Sequence, residues 1–538
     1  MNTFSATQVI ERYRLAKDRQ SKWQGHWQEC YDYTLPLRES SVANVNPGQK
    51  RTDKIFDGTA PDAVEQLAAS LLSQLTPPWA RWFGLGEGSD LTKEERDHIG
   101  PELEKASDVM LSNFDRSNFA VEMHQCYLDL VTAGTACLLF EEAPLGAPSA
   151  FRFLAVPLSQ VVFEENSEGS LDTTYRRSEM RPAEITKRFP KAEIDAQVLK
   201  RGDDDPSFRV AIIEAVIPED NGFQYLAIFE GDAAAQNERQ ILKEGRFNRS
   251  PFINFRWMKA PGEVYGRSPV MKALPDIKTA NKVVELVLKN ASIAVTGIWQ
   301  ADDDGVLNPA TIKLSPGTII PKAVGSAGLS PLQAPGRFDI SDVVLDDLRS
   351  QIRKALLADK LGQPDSPRMT ATEVVERSAE MARLLGATYG RLQSELLTPL
   401  IDRAAAILIR RGAIPNFHLD GQTVELEYKS PLARHQARQD ARDALAWLDA
   451  VSSLGPEALN SIDHATTVEW LAQAFGVPRT LLRQRDVPLE APPDLDPGLE
   501  PETLAQSQSG LAVNAAPSEA MSELVSAIAS EVPNDVVH

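Results

Sequence analysis

A helical pattern running over residues 370–411 sets the tightest limit on what this chain can fold into. Thr370-Ala371-Thr372-Glu373 has the form of a capping box, with hydroxyl and carboxylate three residues apart to satisfy the first backbone N–H groups. Met381, Leu385, Leu392, Leu396, Leu400 and Leu408 then recur at helical spacings. At about 1.5 Å per residue such a helix is on the order of 60 Å long, with a bend expected at Pro399. Few compact enzymes contain such an element; elongated subunits of assemblies often do.

The chain before it reads as a helical pair. Ser268-Pro269 has the cap and first-turn chemistry of a helix start, and the helix is expected to run to about residue 295, kinked or restarted at Pro275-Asp276. Ile277, Val284, Val287, Leu288 and Ala291 make its apolar stripe. Residues 297–340 are rich in turns and hold Asp302-Asp303-Asp304-Gly305 and Pro316-Gly317. A second helix is expected over 341–358, capped by Ser341, with Leu345, Leu348, Ile352 and Leu356 on one face. Asp342, Asp346 and Asp347 stand near its start, and Arg349, Arg353 and Lys354 near its end. That order suits the helix dipole, at about 0.3–1 kcal/mol per favourable end charge. The polar loop 359–369 joins this helix to the long one. It reads either as an ordinary connection or as a segment held between rigid helices and projecting into a channel.

The N-terminal half is mixed. Residues 5–34 have a helical stripe of Val9, Tyr13, Ala16, Trp23, Trp27 and Tyr31. Further helices are expected at 61–75, stopped by Pro77-Pro78, and at 92–117 and 119–133. From Thr135 the pattern turns to strands, at 136–140, 151–156, 210–217, 223–229 and 252–257, with one short helix opened by Arg181-Pro182. After the long helix come a strand at 424–428 and helices near 432–454, 456–475 and 478–485. Strands alternating with long helices are absent, so the fold class is α+β, mainly helical. Residues 487–538 form an acidic, Pro-rich tail without Lys or Arg, in which 520–529 has the pattern of a peripheral helix.

Of 538 residues, 56 are Lys or Arg and 76 Asp or Glu, a net charge of -20. The summed field repels DNA, which disfavours simple phosphate gripping; plain solubility is the other account of the acidity. Three scattered cysteines without a CxxC pair exclude a zinc ribbon or a disulfide framework and suit a reducing compartment. The apolar stretch 283–295 contains Glu285, Lys289 and Asn290 and is shorter than the roughly 20 residues of a membrane span, and the N-terminus has no signal core. No G-x-x-x-x-G-K-[ST], HExxH or G-x-S-x-G pattern occurs among the 538 residues. Gly84-Leu85-Gly86-Glu87-Gly88 lacks a dinucleotide loop's spacing and reads as a turn after Trp82-Phe83. Asp203-Asp204-Asp205 and Asp302-Asp303-Asp304 read as exposed acidic turns, with incidental cation binding the lesser alternative. No cofactor is expected.

In order along the chain, several short pieces resemble the head-to-tail connector, or portal, proteins of short-tailed bacteriophages. They are Tyr33-Thr34-Leu35-Pro36, Phe56-Asp57-Gly58-Thr59-Ala60, Gly262-Glu263-Val264-Tyr265-Gly266-Arg267-Ser268-Pro269 and Leu274-Pro275-Asp276-Ile277-Lys278. The most specific is Arg368-Met369-Thr370-Ala371-Thr372-Glu373-Val374, followed by Arg377, Glu380, Leu385-Gly386, Arg391-Leu392 and Glu395-Leu396-Leu397-Thr398-Pro399-Leu400. The resemblance spans residues 5–485 and implies a ring, usually of twelve subunits, at one capsid vertex. It implies an N-terminal wing over 1–262, a stem of two helices at 263–296 and 341–358, and a clip over 297–340 with Asp302, Asp303 and Asp304. A tunnel loop at 359–369 would present Asp359, Lys360, Gln363, Pro364, Asp365, Ser366, Pro367 and Arg368 to DNA. The long wing helix and a strand take 370–429, crown helices 430–486 and the tail 487–538. Stem charges would include Asp346, Asp347, Arg349, Arg353 and Lys354.

The implied partners are other copies of the chain, the terminase large subunit, tail adaptor or tail tube proteins, capsid and scaffolding proteins, and duplex DNA without sequence preference. The implied location is the virion vertex, after assembly in the bacterial cytoplasm, with no membrane contact. An acidic lumen would repel the duplex over a Debye length of about 8–10 Å, so that DNA slides without sticking. Two alternatives stand beside this: another head–tail structural component, and a metal-dependent nuclease whose scattered carboxylates only folding would gather.

Overall fold

Ser5 opens the first helix, α1 (Ala6–Thr34), by a reciprocal capping box with Gln8. Its two halves bury their stripes in different places. Val9, Ile10, Tyr13 and Ala16 pack on one face of a sheet, while Trp27, Cys30 and Tyr31 enter the main core. The computed structural model describes residues 4–477 except 39–51, 79, 89, 92, 193, 221, 231–240, 297–298, 302–323, 325–328, 332–337, 359–385, 387, 418–423, 429–430, 453–461 and 476. Met1–Val477 forms one compact unit.

α2 (Thr59–Leu75) follows, then β1 (Phe83–Glu87), α3 (Lys93–Asp115) and α4 (Phe119–Ala133). The glycine-rich segment expected to be a turn is thus a strand. It pairs antiparallel with a strand far along the chain, Gly84 opposite Glu427 and Gly86 opposite Glu425. Glycines lack the side chains that make a strand pattern visible, and the pairing is non-local. Trp82, Phe83, Phe114, Phe119, Phe140, Phe151 and Phe153 form one aromatic cluster beneath it, with neighbouring ring centroids as close as 4.4 Å.

α4 ends at Gly134, whose φ of 80° turns the chain into β2 (Thr135–Glu142). β3 (Phe151–Ala155), β4 (Val161–Glu164), β5 (Thr173–Met180), α5 (Pro182–Arg188), α6 (Ala196–Asp204), β6 (Val210–Glu219), β7 (Gly222–Glu230), β8 (Ile241–Phe247) and β9 (Phe252–Arg256) complete the N-terminal half. β2 pairs with β3 and β9 in a three-stranded sheet, and β4 to β8 form an antiparallel meander. The strands β4, β5 and β8 and the helix α6 escape the sequence pattern, since β5 carries Arg176 and Arg177 and β8 carries Lys243, Glu244 and Arg246. The meander is covered on both faces. Ile213, Ala215 and Ile217 meet α1, and Ile212 and Val216 meet the main core, which is why β6 reads as continuously apolar.

α7 (Pro269–Thr296) starts where Ser268-Pro269 indicates and continues through Pro275 as one helix. β10 (Trp299–Ala301) and β11 (Leu329–Pro331) pair antiparallel inside the span expected to be rich in turns. α8 (Phe338–Ala355) begins and ends three residues before the expected 341–358, so Ser341 lies within the helix and is not its cap. Leu356 and Leu357 form a turn, Leu357 at a φ of 57°.

The long helix is described at residue 386 and from 388 onward, so its capping box and expected length lie outside the described residues. A π turn (Gln393–Leu397) leads into the helix Thr398–Arg410, which contains Pro399. In a regular helix Pro399 would leave the Glu395 carbonyl without its donor and crowd it. The π turn resets the register, and the Thr398 N–H bonds the Gln393 carbonyl. β12 (Val424–Tyr428) and the helices Pro431–Ser452 and His464–Phe475 close the described chain. The latter falls within the expected 456–475; the helix expected at 478–485 and the tail lie outside the described residues.

Candidate functional site

The segment that launches α7 is built on close backbone contact. Gly134 and Gly266 face each other so tightly that a Cβ on Gly266 would lie 2.1 Å from the Gly134 carbonyl oxygen, and one on Gly134 2.4 Å from that of Gly266. On either side of Gly266, Tyr265 is buried against Trp27 at 4.9 Å, and Arg267 lies 4.6 Å over the Trp23 ring while pairing with Glu263. Ser268 accepts from the Met271 N–H at 2.9 Å and donates to the Thr132 carbonyl at 2.8 Å, so the cap also nails the helix to the end of α4.

Twelve residues on, α7 and α8 are clasped at their root by Phe56-Asp57. The side-chain amide oxygen of Asn281 (Oδ1) accepts from the backbone N–H groups of Phe56 and Asp57, at 2.8 and 3.1 Å. Asp57, with 3% of its side chain exposed, accepts from Arg349 of α8 at 2.8 Å and from the Thr59 N–H at 3.0 Å. Burial acts to raise the Asp57 pKa, but the bonds from Thr59 and Arg349 outweigh it and hold the carboxyl below the ordinary aspartate value. Position 281 on α7 and position 349 on α8 are therefore level, the two helices running in opposite directions from that point.

A second junction ties the sheet to the π turn. The fully buried Arg256, at the end of β9, donates to Glu395 through Nη2 at 2.6 Å and Nε at 3.2 Å. It also reaches Glu165 at 3.1 Å and the carbonyls of Gly169 and Val264 at 2.7 and 3.0 Å. Glu395 takes a further bond from Arg391 at 3.1 Å, and Glu165 pairs with Lys259. Burial acts to raise the Glu165 pKa, while Lys259 and Arg256 bring it below the ordinary value. Glu395 sits inside the π turn, so the same irregularity that accommodates Pro399 aims a carboxylate at Arg256. Arg403 of the next helix is buried and donates to the carbonyls of Phe140 and Arg249 at 2.8 and 2.6 Å. Burial lowers its pKa to about 10.

The expected site residues divide three ways. Asp359, Lys360, Gln363, Pro364, Asp365, Ser366, Pro367 and Arg368, and Asp302, Asp303 and Asp304, lie outside the described residues. On α8, Asp346 has 81% of its side chain exposed, and Asp347, Arg353 and Lys354 are exposed as well. Arg349 is different, for it is half-buried in the Asp57 clasp. Asn281, Arg256, Glu395 and Glu165 were not singled out as site residues by their spacing, because their partners are far apart in sequence. Asp57 and Glu395 do stand in the quoted motif pieces, which was the available signal. Asp203 and Asp204 end α6, and Asp205 accepts from Ser207, an ordinary helix exit. Among the described residues no cluster of His, Cys, Asp or Glu could hold a metal ion, and no helix is long and apolar enough to cross a membrane.

Comparison with known proteins agrees with these motifs. Residues 6–482 match the family described as Bacteriophage head to tail connecting protein. The chain is 25% identical to the "Probable portal protein" of Bordetella phage BPP-1 over 506 residues, covering 88% of each chain. It is 23% identical to the "Portal protein" of Salmonella phage epsilon15, covering 94% of this chain and 92% of the relative. A solved chain from the "Virion of native gene transfer agent (GTA) particle" aligns over 79% of this chain and 91% of its own at 12% identity, with a TM-score of 0.34, too low to argue from. A match over nearly the whole length decides the matter: the chain belongs to the bacteriophage head-to-tail connecting protein family and is a structural component of the phage particle, not an enzyme.

Proposed function

We propose that the chain is the repeating subunit of a portal ring at one capsid vertex, through which duplex DNA enters during packaging and leaves during ejection. Membership of the head-to-tail connecting family supports this, as do relatives named as portal proteins. The observation on this chain that carries the ring is the helical pair itself. Leu286 and Leu288 of α7 are 48% and 54% exposed, and Val343 and Val344 of α8 are 72% and 44% exposed. Residues 283–288 read Val-Val-Glu-Leu-Val-Leu, apolar nearly all round, a pattern that belongs to a helix covered on several sides. Within one chain α8 covers only one side. Copies on either flank supply the rest, and a head-to-tail contact repeated by rotation closes a ring.

In such a ring α7 and α8 are the stem, and the span 297–340, with Asp302 to Asp304, is the clip that meets terminase and later the tail adaptor. The loop 359–369 faces the duplex, with Lys360 and Arg368 making brief phosphate contacts against acids such as Asp359 and Asp365. The N-terminal half is the wing, and the helices after residue 430 the crown. Twelve copies, capsid and scaffolding contacts and assembly in the bacterial cytoplasm are part of the same proposal. The excess of negative charge keeps DNA sliding, because strong counterion-releasing contacts would act as a brake. Native mass spectrometry and negative-stain imaging of the purified chain test the proposal. Closed rings with a central channel are expected; a monomer that persists at high micromolar concentration would overturn it.

A further inference from the structure

The stem carries charge as well as apolar surface, and beyond the Asp57 clasp the exposed stretch of α7 is mainly basic while that of α8 at 346–347 is acidic. Along α7, Lys278, Lys282 and Lys289 are exposed by 44%, 62% and 64%, and with Glu285 they fall on one stripe at spacings of four, three and four. Lys278 is paired with Glu29 at 3.0 Å, and Lys282 and Lys289 share a single carboxylate, Glu285, at 3.0 and 2.5 Å, so one positive charge of the stripe is left over. On the solvent side of α8 the matching stretch holds Asp346 and Asp347 beside Val343. Among the described residues Asp346 reaches only Arg349, at 3.9 Å, and Arg349 is already committed to Asp57 at 2.8 Å. Asp347 accepts a neutral bond from Gln351.

These two surfaces stand at the same height. The Asp57 clasp sets residue 281 level with residue 349. Counting outward along the oppositely directed helices puts Asp346 and Asp347 level with 283–284, between Lys282 and Leu286, and Val343 level with about residue 287. Rotation about a ring axis preserves height. The α7 flank of one copy and the α8 flank of the next can therefore meet with Lys282 opposite Asp347 and Asp346 and Leu286 opposite Val343 and Val344, while Lys289 stands about five residues further out and reaches back towards Asp346 with its long side chain.

We infer that the basic and apolar stripe of α7 docks on the acidic and apolar stripe of α8 in the adjacent copy of this chain. The inference rests on the ring proposed above and names the surface that closes it. A chain of net charge -20 needs such a device, because like-charged copies brought side by side repel unless opposite charges are placed at the contact. It also makes the contact directional: α7 against α7, or α8 against α8, sets like charges together, which favours head-to-tail closure over two-fold pairs. Asp346 and Asp347 then serve the joint between copies and not the lumen.

Charge exchange on the full-length protein tests the pairing, read by native mass spectrometry and sedimentation over a dilution series at low salt. Lys282→Glu with Lys289→Glu is expected to raise the subunit concentration needed for half assembly about tenfold or more, and Asp346→Lys with Asp347→Lys to do the same. The four changes together restore assembly to within about threefold of the parent, because the charges are exchanged across the contact. The rescue separates a lost contact from a damaged fold. Parent rings with reversed pairs that assemble equally well would overturn this pairing while leaving the ring intact. So would a fourfold exchange no better than either pair, or an effect confined to DNA passage. A parent that forms no ring removes both proposals.

Discussion

Replacing Arg256 by methionine is expected to be among the costliest single changes in the described part of the chain. The guanidinium is fully buried, and its loss strips Glu395 and Glu165 of their shared cation and leaves the Gly169 and Val264 carbonyls without their donor. Removing one partner of a buried ion pair costs about 3–5 kcal/mol, since the remaining charge stays buried. Arg391 and Lys259 still hold the two carboxylates, which argues for the lower end; the two abandoned carbonyls, at roughly 1 kcal/mol or more each, argue for the upper. A loss near 4 kcal/mol corresponds to a fall in Tm of roughly 4–8 °C, given about 2 °C per kcal/mol in a domain of some 200 residues and less in a larger one. Differential scanning calorimetry at fixed subunit concentration measures it, because assembly makes Tm depend on concentration. Arg256→Lys should not rescue, as one ammonium cannot span two carboxylates and two carbonyls. Adding Glu395→Met to Arg256→Met should recover about 2 kcal/mol, because an apolar pair is far cheaper to bury than a lone carboxylate. A Tm within about 1 °C of the parent for Arg256→Met, or strictly additive single changes, would refute the assignment.

Gly266→Ala should lower soluble yield sharply, at a cost of about 4 kcal/mol or more, because its Cβ would sit 2.1 Å from the Gly134 carbonyl oxygen. Gly262→Ala is the control: it has a φ of 82° but open space around the added carbon, and should cost only about 1–2 kcal/mol. The Asp57 carboxyl has a lower pKa folded than unfolded, so its contribution is present above the unfolded value of about 4 and is lost as pH falls through the folded one. The Tm difference between the parent and Arg349→Gln should therefore be constant from about pH 5 to 7 and shrink below about pH 4; a difference that persists unchanged to pH 2.5 would show that the clasp does not depend on charge. The three thiols, Cys30, Cys126 and Cys137, are buried, and burial raises the pKa of each, that of Cys30 to about 12. Iodoacetamide at pH 8 should leave all three unmodified until denaturant is added, as intact-mass measurement would show.

The elements most legible in sequence were those whose order is local. Ser5 with Gln8 and Ser268 with Met271 are caps written within three residues, and both helices begin where those residues stand. Apolar periodicity marked α1, α2, α4 and α7 because each presents a regular stripe to the core. Failures cluster where the partner is remote. β1 looks like a loop until β12 arrives beside it, and β5 and β8 carry so many charges that only the meander around them makes them strands. The π turn is a similar case: Pro399 announced an irregularity, but its form was set by a helix that must also deliver Glu395 to Arg256.

Among the site residues, the family motifs marked Asp57, Tyr265, Gly266 and Glu395 as a pattern without saying what each does. Their roles appear only when residues far apart in sequence meet, Asp57 with Asn281 and Arg349, Gly266 with Gly134, Glu395 with Arg256. The amino-acid sequence by itself determined the family, the helical pair around a turn-rich span, and the absence of the linear motifs of catalysis. Tertiary structure decided which charges are buried clasps and which remain free on the surface. Arg349 and Asp346 stand one helical turn apart with opposite fates, because Arg349 faces the buried Asp57 while Asp346 faces solvent. Side-chain direction relative to a core assembled from distant segments is a property no local pattern contains.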